Sequence, residues 1–373
     1  MGLVAELVDD PARLQTMRAA WDALAVELGR PYCAPAWLLA WWDHARPSGA
    51  LLRTVLVHDG SELVAVAPFY ADRRLARAVH YRLLAADVSH RITPLIRRGA
   101  EEGATKAIAE TLAAARPRPA VIRFESVEAE GRWPERFAEQ WPGPARPWAV
   151  REWCGPAPTV TLEGQTFENW MRAKSRNFRS QAGRMRRHLE AEGARFSLAA
   201  GPNEVRQGLE ALARLHYARW EGRGGSTALD RGVERMLAEA ASELLADCRF
   251  RLFTIEAAGA VISAHLFVAA GGEVAYWNGG FDETFAGDQP SMRVLVEAIE
   301  DAMGRSDRSL DLGGGSEGYK MRLADGEDLL ETCLVVPRGA GYSLTRLQLV
   351  PRRLRRSIRS TLPERLGARL RGR

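Results

Sequence analysis

The stretch FRLFTIEAAGAVISAHLFV, Phe250 to Val268, consists of two apolar runs rich in β-branched and aromatic residues around a Gly-containing turn. That pattern predicts a β-hairpin. A second stretch, LRTVLVHDGSELVAVAPFY, Leu52 to Tyr70, has the same form and aligns with the first without gaps at an offset of 198 residues. The alignment sets Arg53 on Arg251, Leu63 on Val261 and Phe69 on Phe267. A repeat of this kind predicts a duplicated domain.

Helical periodicity precedes each hairpin. After the second come a strand EVAYWNGGF, a helix SMRVLVEAIEDAM, a strand SLDLG and a last apolar strand LLETCLVV. The segment AVIRFESV, Ala120 to Val127, supplies a matching late strand in the first half. The order is mixed α/β around a central sheet, of the α+β type with both strand senses. The Pro- and Gly-rich run Trp141 to Pro158 reads as the junction. The chain thus divides into a divergent first domain over 1–155, a second domain over 156–340 and an Arg-rich tail over 341–373.

A chain of 373 residues fits two domains, each able to bury a core. Apolar residues at 46% and charged residues at 27% exclude a disordered or fibrous chain. The four cysteines, at 33, 154, 248 and 333, are too scattered for a zinc or disulfide framework, so no metal is expected. The N-terminal run has neither a signal-peptide nor an N-myristoylation pattern, and the apolar stretches are too short to span a bilayer. These features predict a cytoplasmic protein.

The net charge of +5 is carried by the tail: residues 351–373 hold nine Arg and one Glu, leaving the remainder at −3. A whole-surface nucleic-acid footprint is therefore not expected. In the tail, Leu354, Ile358, Leu362, Leu366 and Leu370 recur every four residues, with Pro363 interrupting. Such a helix either docks on its own protein or lies on anionic lipid at the inner membrane face.

The basic run KSRNFRSQAGRMRRH, Lys174 to His188, holds six Lys/Arg and no acid. At roughly 100° per residue, Phe167, Trp170, Met171, Phe178, Met185 and Leu189 share one side and Arg172, Arg176, Arg179, Arg186 and Arg187 the other. That predicts an amphipathic helix from about Thr166 to Ala191, its aromatics committed to the core rather than to base stacking. Lys174 lies toward the apolar side, facing a cleft.

LDLGGGSEGYKMRLADG, Leu310 to Gly326, is the most specific local feature. A short strand ends in three glycines, and Glu317, Tyr319 and Lys320 follow together. The chain uses 49 arginines and only three lysines, Lys106, Lys174 and Lys320, so a lysine in this turn reads as a compact point charge.

The succession SRNFRSQAGRMRRHLE, LHYARWEGRGG, FRLFTIEAAGAVISAHLFV, EVAYWNGGFD and LDLGGGSEGYKMRL resembles the GNAT-type acetyltransferase domain of the cellulose-biosynthesis CelD-like group. That group is related to the Fem-type aminoacyl transferases of peptidoglycan synthesis. The match covers about Thr159 to Val336, and the relationship implies two tandem GNAT-like folds, the first more divergent. In this family an amine attacks an activated acyl carbonyl, which calls for a proton acceptor and fixed donors. The resemblance makes Lys320 and Tyr319 catalytic residues, with Glu317 and Asp282 as acids to test for general base. It places His216, Trp220, Arg223, Lys174, Trp277 and Asn278 around the substrate. His216, four residues after Leu212, also fits a core histidine, and His265 reads as structural.

The chain departs from the family at its phosphate-binding loop. Most coenzyme A users carry Q/R-x-x-G-x-G/A before a helix whose N-terminus binds pyrophosphate. Here the run is FDETFAGDQPSMRV, with one glycine, Gly287, and three acids. Gly287, Gln289, Ser291 and Arg293 remain as donor-binding residues. The expected function is an N-acyltransferase using acetyl-CoA or another acyl-CoA and an amine of a sugar or small metabolite. Two alternatives stay open: a Fem-like transferase whose donor is an aminoacyl-tRNA or an acyl-carrier protein, and a non-catalytic GNAT-like module of envelope or polysaccharide machinery. Nucleic acid enters only as that tRNA, and the paired halves predict a monomer.

Overall fold

A computed structural model describes residues 2–72, 78–221 and 228–339, together with 342, 343, 345–347 and 349. The tail stripe from Leu354 to Leu370 lies outside the described residues. The first half runs β1 (Val4–Val8), α1 (Pro11–Thr16), α2 (Arg18–Glu27), α3 (Pro35–His44), β2 (Leu51–Leu52), β3 (Thr54–Asp59), β4 (Glu62–Ala67), β5 (Phe69–Asp72), β6 (His80–Leu83), β7 (Leu95–Ile96), α4 (Glu101–Ala114), β8 (Val121–Glu128) and α5 (Trp133–Glu139). After β9 (Trp148–Thr161) come α6 (Phe167–Ala173), α7 (Arg176–Ala191), β10 (Arg195–Leu198), α8 (Pro202–Glu221), α9 (Arg231–Leu244), β11 (Phe250–Ala257), β12 (Ala260–Ala270), β13 (Glu273–Phe281), α10 (Pro290–Gly304), β14 (Ser309–Asp311), α11 (Gly318–Leu323) and β15 (Gly326–Val336).

Both sequence hairpins form, β3–β4 and β11–β12, and they share one register. Val55↔Ala67, Val57↔Ala65 and His58↔Leu63 in the first correspond at the same offset to Phe253↔His265, Ile255↔Ser263 and Glu256↔Val261 in the second. The β-bulge falls at the equivalent step in each, after Val57 and after Ile255. Later in each half a helix-containing connection joins two parallel neighbours, β6 to β8 through α4 and β13 to β14 through α10. The fold is mixed α/β, with two halves of repeated hairpin and crossover topology.

The halves are fused through one sheet of order β10-β11-β12-β13-β14-β9-β15-β8-β6-β5-β2, beside a smaller sheet β1-β3-β4-β7. The stretch expected as a Pro-rich linker is, from Trp148 on, the strand β9, and position 155 falls inside it. Its prolines are tolerated because they contribute carbonyls: Pro158 O accepts from Leu312 N and Pro156 O from Gly315 N, both at 2.9 Å. β15 pairs with β9 on one side and with β8 of the first half on the other.

One apolar cluster runs from the first half, around Trp21, Trp37 and Trp41, through α8 and α9 to Leu252, Leu266 and Trp277. On the opposite face of the second-half strands, α6, α7 and α10 bury Trp170, Phe178 and Leu295 against Phe253, Phe267 and Tyr276. The single helix expected from Thr166 to Ala191 is two, because Lys174 is extended (ψ 157°) and Ser175 starts a new helix by accepting from Phe178 N. Among the described residues no helix is long and apolar enough to cross a membrane.

Candidate active site

β13 and β14 run parallel only as far as Ala275 and Asp311. Beyond that point Leu312 and Gly315 bond to β9 instead, so the two strands part and open a cleft. The helix after β13 starts at this cleft: a 3₁₀ turn over Glu283–Asp288 ends in Gln289 with left-handed backbone (φ 49°), and Pro290 opens α10. Between β12, β13, the start of α10 and α11 lies a cavity of ≈ 370 Å³, mostly apolar, lined by His265, Tyr276, Gly279, Ser291 and Tyr319 with Arg219 and Arg322 at its edge. A larger cavity of ≈ 490 Å³ between α8 and α9 shares none of these residues and is lined mainly by apolar side chains such as Val205, Leu209 and Leu237.

The strand-end turn brings its residues together as expected. Lys320 is 6% exposed; its Nζ donates to Gly314 O at 2.8 Å and lies 3.1 Å from Glu317 Oε2. A buried ammonium needs such partners. Tyr319 lines the cavity, and burial, reinforced by Glu317, pushes its phenol up to about 12, so it remains a proton donor at neutral pH. Glu317 is engaged by Lys320. The first half reaches the same turn: a Cβ on Gly313 (φ +77°) would lie 3.0 Å from His90 Nε2.

Other expected site residues are placed differently. Asp282 caps the 3₁₀ turn, its Oδ1 accepting from Thr284 N (2.9 Å) and Thr284 Oγ1 (2.7 Å). Those bonds hold its carboxyl below the usual range and make it a poorer base. Trp277 points to the first half, where Nε1 donates to Val88 O at 2.9 Å and the ring meets Trp37 edge-on. Strand alternation turns it away from the cavity that Tyr276 faces. Lys174 is held by Leu323 O (2.5 Å) and Ala324 O (3.2 Å) and sits 4.7 Å from the Trp170 ring centroid. It lines a separate cavity of ≈ 450 Å³ with Ser175 and Asp325.

His216 is 4% exposed on α8, with Nδ1 3.5 Å from Asn278 Nδ2 and no hydrogen-bond partner for Nε2 among the described residues. Asn278 Oδ1 accepts from Gly279 N, and Trp220 lies at the exposed end of α8 beside His216. Arg223 lies outside the described residues. At the expected phosphate loop, a Cβ on Gly287 would meet no protein atom within 4 Å. Gln289 lines the cavity and accepts from Gln181, Asp288 pairs with His188 at 3.0 Å, and Arg293 pairs with Glu297 one turn on. Only Ser291 of the four donor residues presents a hydroxyl to the cavity while bonding to a buried side chain, His265.

The sequence reading took His265 as structural and gave Tyr276 and Gly279 no role; all three line the cavity. Their signal is a register: His265 on β12 faces Gly279 on β13, and a Cβ at Gly279 would overlap the imidazole.

Residues 176–321 match the sequence model of the acetyltransferase (GNAT) domain family, which supports an N-acyltransferase. No curated protein sequence matches the chain. Among solved structures, FemX is similar over 92% of this chain and 99% of its own at 12% identity and TM-score 0.62. The C-terminal domain of a protein described as a lysylphosphatidylglycerol synthetase from Agrobacterium fabrum is similar at 11% identity over 90% and 96%, TM-score 0.58. L-PGS from Bacillus licheniformis is similar at 14% identity over 90% and 95%, TM-score 0.55. At these identities the likeness is one of fold.

Proposed function

We propose that the protein transfers an acyl group from a thioester, most simply acetyl-CoA, to an amine of a sugar or small metabolite. The observation that carries this reading is the ≈ 370 Å³ cavity, which joins an apolar space for an acyl chain to the Tyr319 hydroxyl at the mouth of the β13–β14 cleft. Tyr319, protonated at neutral pH, supplies a proton to the leaving sulfur, and Lys320, clamped by Glu317 and Gly314, places a fixed positive charge beside it. The CelD-like grouping and a cytoplasmic site belong to this proposal.

A second reading is favoured by one specific feature, the start of α10. Pro290 removes an N–H from that helix end, Asp288 and Gln289 are engaged by His188 and Gln181, and Asp282 closes its own turn. Nothing there forms a glycine cradle for a pyrophosphate, which suits a donor without one, an aminoacyl-tRNA or a carrier protein. The similarity to FemX and L-PGS folds is in keeping with that.

The test is a thermal-shift titration with coenzyme A, acetyl-CoA and longer acyl-CoAs. Binding to the folded state alone at a hundred times Kd stabilises by about 2.7 kcal/mol, a readily measured rise in Tm. A saturable rise supports the thioester donor; none with any of them moves the assignment to the second reading. With the donor known, Lys320→Ala is expected to lower turnover by roughly 10²–10⁴-fold.

A further inference from the structure

His90 of the first half stands where two strands of the second half part. A Cβ on Gly313 would lie 3.0 Å from His90 Nε2 and 3.6 Å from the Tyr276 carbonyl oxygen. Gly313 comes just after the end of β14, and Tyr276 just after Ala275, the last β13 residue paired with it. The imidazole therefore lies against the opening itself. Tyr276 also lines the ≈ 370 Å³ cavity, and the turn that starts at Gly313 leads on to Tyr319 and Lys320.

The loop that carries His90 is anchored on both sides of it. Val88 O accepts from Trp277 Nε1 and Ser89 Oγ from Trp37 Nε1, both at 2.9 Å. Arg91 N donates to Ser126 O at 2.9 Å, and the Arg91 guanidinium holds Asp311. The His90 ring is half-buried, meets Tyr32 edge-on and has no hydrogen-bond partner among the described residues. Burial holds it below its ordinary value; Asp311 opposes this, and Arg91 and Lys320 add to it, so the ring is chiefly neutral at neutral pH. A neutral imidazole keeps one N–H. With the Tyr276 carbonyl oxygen close by, Nε2 is the better place for that proton than for a lone pair.

A fixed donor with no partner of its own acts most strongly where charge develops in a site shielded from water. We propose that His90 Nε2–H donates a hydrogen bond to the acyl oxygen during transfer, a catalytic residue that the first half supplies. The inference rests on the acyltransferase reading of this cleft and holds for a thioester or an ester donor alike. As the amine nitrogen bonds to the acyl carbon, the carbonyl electron pair collects on oxygen, where Nε2–H meets it. When the C=O re-forms, the bond to the leaving atom breaks and that atom takes the Tyr319 proton. The amine proton passes to water, Tyr319 recovers a proton from water, and His90 keeps its own throughout.

Two measurements test this. In NMR of the protein with nitrogen-labelled imidazoles at neutral pH, the His90 signals being those lost in His90→Gln, a proton on Nε2 is expected. A proton on Nδ1 alone, or on both nitrogens, overturns the proposal, and this reading needs no donor and no variant beyond the assignment. In turnover of acyl-CoA donors with hydroxylamine as the amine, His90→Leu should lower kcat by roughly 10²–10³-fold with the donor KM little changed. His90→Gln offers a neutral amide N–H and should recover roughly tenfold of that loss, with a pH profile of unchanged shape. Equal kcat in the protein and His90→Leu overturns the proposal, and so does an acid limb that His90→Gln abolishes, the mark of a base. Failure of the acyltransferase reading shows differently, as absent turnover in the unchanged protein with every donor while Nε2 still carries its proton.

Discussion

Arg91 of the first half holds Asp311 of the second: its Nε lies 2.8 Å from Asp311 Oδ2 and its Nη2 3.4 Å from Oδ1, a two-pronged pair. The same guanidinium reaches Glu128 at 3.3 Å and Asp328 at 2.9 Å. Asp311 is the last residue of β14, where the cleft opens, so this pair braces the base of the candidate site across the junction of the halves. With side-chain exposures of 15% and 10%, removing one partner leaves a nearly buried charge unmatched.

Arg91→Ala is therefore expected to destabilise by about 3–5 kcal/mol, read as a lower urea midpoint. Arg91→Lys recovers little, because an ammonium cannot span both carboxylate oxygens. Since β9 and β15 knit both halves into one sheet, unfolding should remain a single transition in either variant. Two separated transitions would show that the halves hold together less strongly than their shared sheet implies.

The hairpins and their repeat were legible because period-two alternation and a Gly turn are local signals, as was the lysine turn in a chain that otherwise uses arginine. β9 was not: Pro156 and Pro158 argue against a central strand, and only the distant Leu312 and Gly315 explain their place in it. The sequence did not show that Asp282 closes its own turn through Thr284, a short-range competitor for the carboxylate. The place of His265 at the cavity was hidden for the opposite reason. Its neighbours Tyr276, Gly279 and Ser291 are supplied by strand register and a crossover helix, which no window along the sequence contains.

Gly279 tests that register directly. Because a Cβ there would overlap the imidazole of His265, Gly279→Ala should cost about 1–3 kcal/mol through forced displacement of the ring or strand. His265→Ala vacates the space, so the double variant is expected to be less destabilised than the sum of the singles, with a coupling of roughly 0.5–3 kcal/mol in a denaturation cycle. Additive losses would mean that the glycine serves the strand and not the histidine.

His265 also sets a pH dependence whose sign follows from its burial. Unfolded, the imidazole binds a proton near its ordinary value of 6.5; folded, desolvation delays this to about 3. Between those values the unfolded chain carries more protons than the native one, so acidification favours unfolding, by up to about 1.4 kcal/mol per pH unit from this group. Stability should thus fall from pH 6.5 toward 3 more steeply in the protein than in His265→Gln, the other titrating groups being common to both. Urea midpoints of the pair at several pH values in that window measure the difference. Parallel curves would mean that the folded protein admits a proton to His265, and hence that water reaches the Ser291 end of the cavity.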